Sequence, residues 1–199
     1  MPTQDIAMFP LQVLLLPGES VDLYIFEPRY RQLVADWEET QMPFAIPYAR
    51  AGLLTGYGCV VEISKIRSHN NDGTYNIEIT GKELFRLEAY QKTLGDRLYP
   101  GGRIKIIERE NFYPVGKELE NMLQEFLDMH PKRLAETLYH PDFDLLDAAR
   151  MVKLGEAEKL KLISAKQLFI ARKVLADHIR FELALKAQEG SRQGSIFLN

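Results

Sequence analysis

Over the first 111 residues the apolar positions favour short strands, and near Phe112-Tyr113-Pro114-Val115-Gly116 their period changes from two to 3.6. Residues 13–16 and 21–25 are rich in β-branched and large apolar side chains, with Pro17-Gly18 between them as a turn signal. Pro28 stands where a helix can begin, because its missing N–H would be unpaired there in any case. Residues 29–39 then place Tyr30, Leu33, Val34 and Trp37 on one helical face, a spacing that favours core packing over a ligand cage. Strands are predicted at 44–48 and 56–66. The composition of His69-Asn70-Asn71-Asp72-Gly73 marks a hairpin loop. The strict alternation of 75–80 predicts a strand with one wet face. Gly81-Lys82-Glu83 interrupts it before a further strand at 84–89, and Pro100-Gly101-Gly102 opens a last strand at 103–108. The glycines fit bulges and bends in a curled sheet.

The second half reads as helices. Residues 117–129 put Leu119, Met122, Leu123 and Phe126 on one face; 131–139 and 144–152 form further segments. From 156 to about 186 the pattern is helical, with a break near Ser164, a residue type that favours helix N-caps. Leu168, Ala171, Leu175 and Ile179 make a stripe that Val174, Phe181 and Leu185 widen, which implies packing against other helices. The predicted organisation is a β-rich part over 1–113, a helical part over 114–189 and a flexible tail over 190–199 ending in the apolar Ile196-Phe197-Leu198.

The stretch Phe9-Pro10-Leu11, Leu16-Pro17-Gly18 and Ile25-Phe26-Glu27-Pro28-Arg29-Tyr30 resembles the opening of the Lon protease N-terminal, substrate-binding domain. The middle block adds to the likeness. Gly58 to Ile63, the Asp72-Gly73 hairpin and Gly81-Lys82-Glu83-Leu84-Phe85 occupy the places of that family's Gly-x-x-x-x-Ile strand, Asp-Gly hairpin and Gly-x-x-x-Phe strand. One departure is Leu84, where the family usually carries Arg. The resemblance covers nearly the whole chain. It implies an α+β fold, a PUA-like β-pseudobarrel followed by a C-terminal helical bundle with a long last helix.

Composition narrows the options without choosing among them. With 46% hydrophobic and 27% charged residues, the 199-residue chain can build a sizeable core. A formal charge of −3 gives no overall basic field, which argues against nucleic acid. The single cysteine, Cys59, lies in the apolar run Gly58-Cys59-Val60-Val61 and reads as a buried thiol in a reducing compartment. There is no basic leader and no apolar run near the ~18 residues of a membrane span, so a cytoplasmic protein without membrane contact is expected.

Candidate chemistry is scarce. No Gly-x-x-x-x-Gly-Lys-Ser/Thr phosphate loop occurs. Ser164 and Lys166 stand two apart, which on a helix points them to different faces and disfavours a Ser-Lys catalyst. His69, His130, His140 and His178 match no zinc spacing, and Asp142 and Asp144 read better as helix caps. The clusters Glu38-Glu39, Glu108-Arg109-Glu110 and 153–161 read as solvated charge. No catalytic residue, metal or cofactor is therefore expected.

The resemblance implies a stand-alone member of the family, without ATPase or protease domains, that binds unfolded or partly folded proteins as an adaptor for a separate ATP-dependent protease. It points to Phe26, Glu27, Arg29, Tyr30 and Gln32 as the polypeptide- or partner-binding region. Core anchoring of the helix is the competing role for Phe26 and Tyr30. Two other classes stay open: an RNA-binding PUA-like module, and a small-molecule or regulatory sensor. The long helical end could serve as a homodimer seam.

Overall fold

In the computed structural model, which describes residues 5–130 and 142–196 with side chains as far as 188, the alternating half becomes six strands. These are β1 (Asp5–Ala7), β2 (Ser20–Ile25), β3 (Phe44–Arg50), β4 (Leu53–His69), β5 (Tyr75–Gln91) and β6 (Gly101–Ile106), with helix α1 (Pro28–Thr40) between β2 and β3. All pairings between these strands are antiparallel, in the order β1-β6-β5-β4-β3. Parallel bridges from Met8 to Ala45 and from Leu11 to Tyr48 bring the chain after β1 back to β3. Phe9 N donates to Ala45 O at 2.8 Å and Ala49 N to Leu11 O at 2.7 Å, so the sheet closes into a pseudobarrel. Met8, Ala45, Val60 and Phe85 fill one part of its core, with Ile6, Leu87, Ile104 and Ile106 packed against them.

Two strand expectations are corrected. Residues 13–16 form no strand: Leu14, Leu15 and Leu16 are all buried, but Leu16 N donates to Glu19 Oε2 and Leu16 O accepts from Glu19 N, so the backbone turns there instead of continuing a ladder. Nor does Gly81 interrupt a strand. β5 runs unbroken, and the register against β4 shifts between Val60 and Val61 because Lys82 is an extra residue there. Gly81 is required by close approach: a Cβ would stand 2.5 Å from Leu16 O and 3.0 Å from Cys59 Sγ. Gly58 is squeezed likewise between Ile46 O and the Phe85 ring. Asp72-Gly73 does make the hairpin turn, with Gly73 N donating to Asn70 O and Thr74 N to Asp72 Oδ1.

β2 pairs with the first half of β5, from Ser20 opposite Thr80 to Ile25 opposite Tyr75. β6 takes the second half of the same side, from Phe85 opposite Ile106 to Gln91 opposite Gly101. Among the described residues no strand pairs with the other edge of β2.

The chain divides into two compact units, Met1–Glu108 and Arg109–Asn199; the sequence reading put that boundary at 113/114. Arg109 belongs to the second unit by its bonds. Expected as solvated charge, it donates to Asp144 and Asp147 at the head of a helix of that unit. The unit contains a 3-10 turn (Arg109–Phe112) and helices α2 (Lys117–Met129), α3 (Leu145–Val152), α4 (Glu156–Ile163) and α5 (Leu168–Ile196). The segment predicted at 131–139 lies outside the described residues, as does the 197–199 end of the expected tail; the α5 backbone is helical through Ile196. Asp144 caps α3 as expected, accepting from Leu146 N and Asp147 N. Ser164 ends α4 rather than opening the next helix, because its hydroxyl donates back to Leu160 O at 2.6 Å. Lys159, read as solvated, is buried. The α5 stripe is narrower than predicted: Ala171, Leu175 and Ile179 are buried, whereas Phe181 and Leu185 are 60% and 42% exposed. Helices α2, α3 and α4 pack on α5, and among the described residues no helix covers those two side chains.

Candidate functional site at the end of β2

Where β2 runs into α1, strand alternation decides which side chains face water. Ile25 points inward and is 1% exposed. Tyr24 and Phe26 flank it on the opposite face, 56% and 59% exposed, with ring centroids 5.9 Å apart and planes inclined by 28°. Two aromatic rings in contact with each other and with solvent form an apolar spot at the end of a strand edge that is unpaired among the described residues. Asp22 continues the same face and accepts from Arg67 Nε at 2.7 Å, which keeps the middle of the strand polar.

Helix α1 starts from Glu27, whose extended backbone (φ −68°, ψ 134°) lets its carbonyl accept from Tyr30 N and Arg31 N. Its side chain does not cap the helix. Glu27 Oε2 instead takes Arg29 Nε at 3.0 Å and Nη2 at 2.8 Å, a half-exposed pair worth at most about 1 kcal/mol. The Arg29 guanidinium also lies 4.6 Å from the centroid of the Tyr30 ring, a cation–π contact. Tyr30 itself is 4% exposed and stacks on Phe9 at 3.8 Å. Burial pushes its phenol up to about 12, with Arg29 pulling the other way.

Gln32 faces the loop that joins β5 to β6. Its Oε1 accepts from Leu98 N at 2.7 Å. One turn on, Asp36 accepts from Arg97 Nη1 at 3.0 Å and from the Tyr99 hydroxyl at 2.7 Å. The loop thus hangs from one side of α1 and presents Leu98, 57% exposed.

The five residues singled out in sequence therefore separate by role. Phe26 is open to solvent, Glu27 and Arg29 form a polar rim, Tyr30 is core, and Gln32 holds a loop. Tyr24 and Leu98 were missed as exposed apolar groups. The signal for Tyr24 was its period-two relation to Asp22 and Phe26; nothing in the sequence marked Leu98.

Elsewhere the candidate catalytic and metal groups have structural occupations. The Ser164 hydroxyl is bound to Leu160 O. His130 Nδ1 meets Phe126 O at 2.8 Å, and His178 lies between Glu158 Oε1 and Val152 O at 3.2 Å from each. His140 lies outside the described residues. Among the described residues no group of three His, Cys, Asp or Glu could hold a metal, and no helix is long and apolar enough to cross a membrane.

The sequence model of the ATP-dependent protease La (LON) substrate-binding domain matches residues 5–182. Among solved structures, a Lon N-terminal domain protein from Xanthomonas campestris superposes with a TM-score of 0.60 at 24% identity, over 87% of this chain and 98% of that one. The N-terminal domain of the Mycobacterium avium complex Lon protease does so with a TM-score of 0.60 at 13% identity, over 89% and 98%. No curated protein sequence matches the chain.

Proposed function

The chain belongs to the Lon substrate-binding domain family, and from that premise we propose that its β-rich unit binds unfolded or partly folded polypeptide without hydrolysing it. The observation that carries this reading is the solvent-facing Tyr24–Phe26 pair at the end of a strand whose outer edge no described strand pairs. An unfolded chain differs from a folded one in its bare apolar side chains and unpaired backbone groups. The β2 edge offers main-chain hydrogen bonds that are indifferent to sequence, and the two rings offer apolar contact. A folded protein has already spent both.

The rest of the site supports these two features. Tyr30, wedged on Phe9, fixes the start of α1 and so the direction in which Phe26 leaves the strand. Gln32 holds Leu98 beside the helix. Glu27 and Arg29 line the rim, where charge tunes encounter more than affinity. None of these steps calls for a nucleophile, a metal or a cofactor. The cellular role that follows is an adaptor, presenting a held client to a separate ATP-dependent protease.

The test is fluorescence anisotropy with a labelled, permanently unfolded client, with its folded form and a single-stranded RNA as controls. The unfolded client alone should bind. Replacing Tyr24 and Phe26 together with Ser should weaken it about tenfold, the worth of one buried aromatic contact. Equal binding of folded and unfolded client, or an unchanged affinity in the double variant, would defeat the proposal. Salt-sensitive RNA binding in place of client binding would favour the RNA-binding alternative.

A further inference from the structure

The helical unit carries a second concave surface, different in chemistry from the first. Between α2 and α5 runs a groove of about 450 Å³. Its apolar part is made by Val115, Leu119, Met122 and Phe169, and Ala176 leaves room where a larger residue would fill it. Phe169, the second residue of α5, is 63% exposed. Around this floor stand Lys117, Arg172, Lys173 and Arg180, with Glu118 the one carboxylate among the lining residues.

Those cations are neutralised only in part, and by exposed pairs. Arg172 spends its Nε and Nη2 on Pro114 O, at 3.2 and 2.6 Å, so its bonding partner there is a neutral carbonyl. Lys173 pairs with Asp177 at 2.9 Å, but that same carboxylate also faces Arg180 at 3.5 Å. Arg180 reaches Glu118 only at 3.5 Å, and Lys117 reaches Glu120 at 3.7 Å. These pairs are exposed, and exposed pairs are weak and easily exchanged. Four cations thus stand against three carboxylates, Glu118, Glu120 and Asp177, around one apolar groove, an excess of one positive charge in a chain whose formal charge is −3.

We propose that the α2–α5 groove docks an acidic peptide segment of a protein partner, with one bulky apolar side chain seated on Met122 and Phe169 and flanking carboxylates held by Arg172, Lys173 and Arg180. Charge complementarity selects this occupant. A nucleic-acid backbone would use the cations and leave the apolar floor unused; a neutral unfolded chain would do the reverse. The site is therefore sequence-selective, unlike the β2 edge, and the inference stands independently of the reading given to that edge.

The experiment uses the full chain and two short fluorescein-labelled peptides, one with a central Phe flanked by aspartates and its counterpart with lysines in place of the aspartates. The acidic peptide should bind and the basic one should not. K173E combined with R180E, both at exposed positions, should weaken the acidic peptide about tenfold and confer binding of the basic one. A176L, which occupies the groove without altering charge, should abolish binding of the acidic peptide while the thermal midpoint shows the fold intact. The Tyr24 and Phe26 double variant should bind the acidic peptide as the parent does. Equal binding of both peptides, indifference to charge reversal or to A176L, or displacement of the acidic peptide by single-stranded RNA would each overturn the proposal.

Discussion

Arg109 Nε donates to Asp144 Oδ2 across 2.5 Å, joining the turn that opens the helical unit to the cap of α3. The two residues sit in unlike surroundings: the Asp144 side chain is 2% exposed and that of Arg109 54%. Asp144 Oδ1 accepts from Leu146 N at 2.8 Å and Asp147 N at 3.0 Å, so one carboxylate serves as both helix cap and ion-pair partner. Burial raises its pKa although Arg109 pulls the other way.

The two roles can be separated by substitution. Asp144→Asn keeps an oxygen for the cap and loses the charge; Asp144→Ala loses both. The Ala variant should be less stable than the Asn variant by about 1 kcal/mol, the usual worth of a cap. Urea unfolding of both variants measures the difference, and equal stabilities would mean that the ion pair alone matters.

Gly81→Ala should be among the more damaging single changes in the β-rich unit. The added methyl would meet Leu16 O at 2.5 Å, and a backbone carbonyl cannot rotate away as a side chain can. The segment is also bonded from both sides, Gly18 N to Gly81 O at 2.8 Å and Gly81 N to Glu19 O at 2.9 Å. A loss of about 2–3 kcal/mol is expected in thermal or urea melts. A loss below about 0.5 kcal/mol would show that the 16–19 turn moves aside freely.

Alkaline pH should destabilise the β-rich unit through Tyr30 and Tyr99. Burial pushes each phenol from 10.0 to about 12, and for Tyr99 the hydrogen bond to Asp36 adds to the effect. The folded state keeps a proton that the unfolded state gives up, so stability falls as pH rises. Their contribution is fully present below pH 10 and is lost as pH climbs from 10 towards 12. Urea midpoints measured across that interval should decline, and less steeply in Tyr30→Phe, which keeps the stack on Phe9. An identical slope in the variant would remove Tyr30 from the account.

Cys59 is 1% exposed, and burial raises its thiol to about 12. Thiol-specific reagents should label it slowly in the native protein and promptly in denaturant. Prompt native labelling would reveal opening of β4 away from β5.

The buried thiol was legible in sequence because an apolar run around a lone cysteine has few other meanings. Helix α2 was legible to its ends, since its apolar period is clean and Gly116 precedes it. What was hidden depended on residues far away in the chain. Phe26 and Tyr30 look alike in sequence, and only the arrival of Phe9 buries one of them. β5 seemed broken at Gly81 because a glycine that admits a neighbouring carbonyl and one that ends a strand leave the same letter. The cations of α5 resembled any solvated helix face; what distinguishes them is the apolar floor that α2 sets beside them.

The shortness of β2 has a consequence of its own. Its six residues amount to about 20 Å of edge at roughly 3.3 Å per residue. A surface loop of a folded protein often has that contour length, but its anchored ends keep it from lying straight. A chain released from its fold has the slack to do so. For a polypeptide laid along β2, the strand works as a gauge of slack: it asks how far a segment can be drawn out, before any question of which residues it contains.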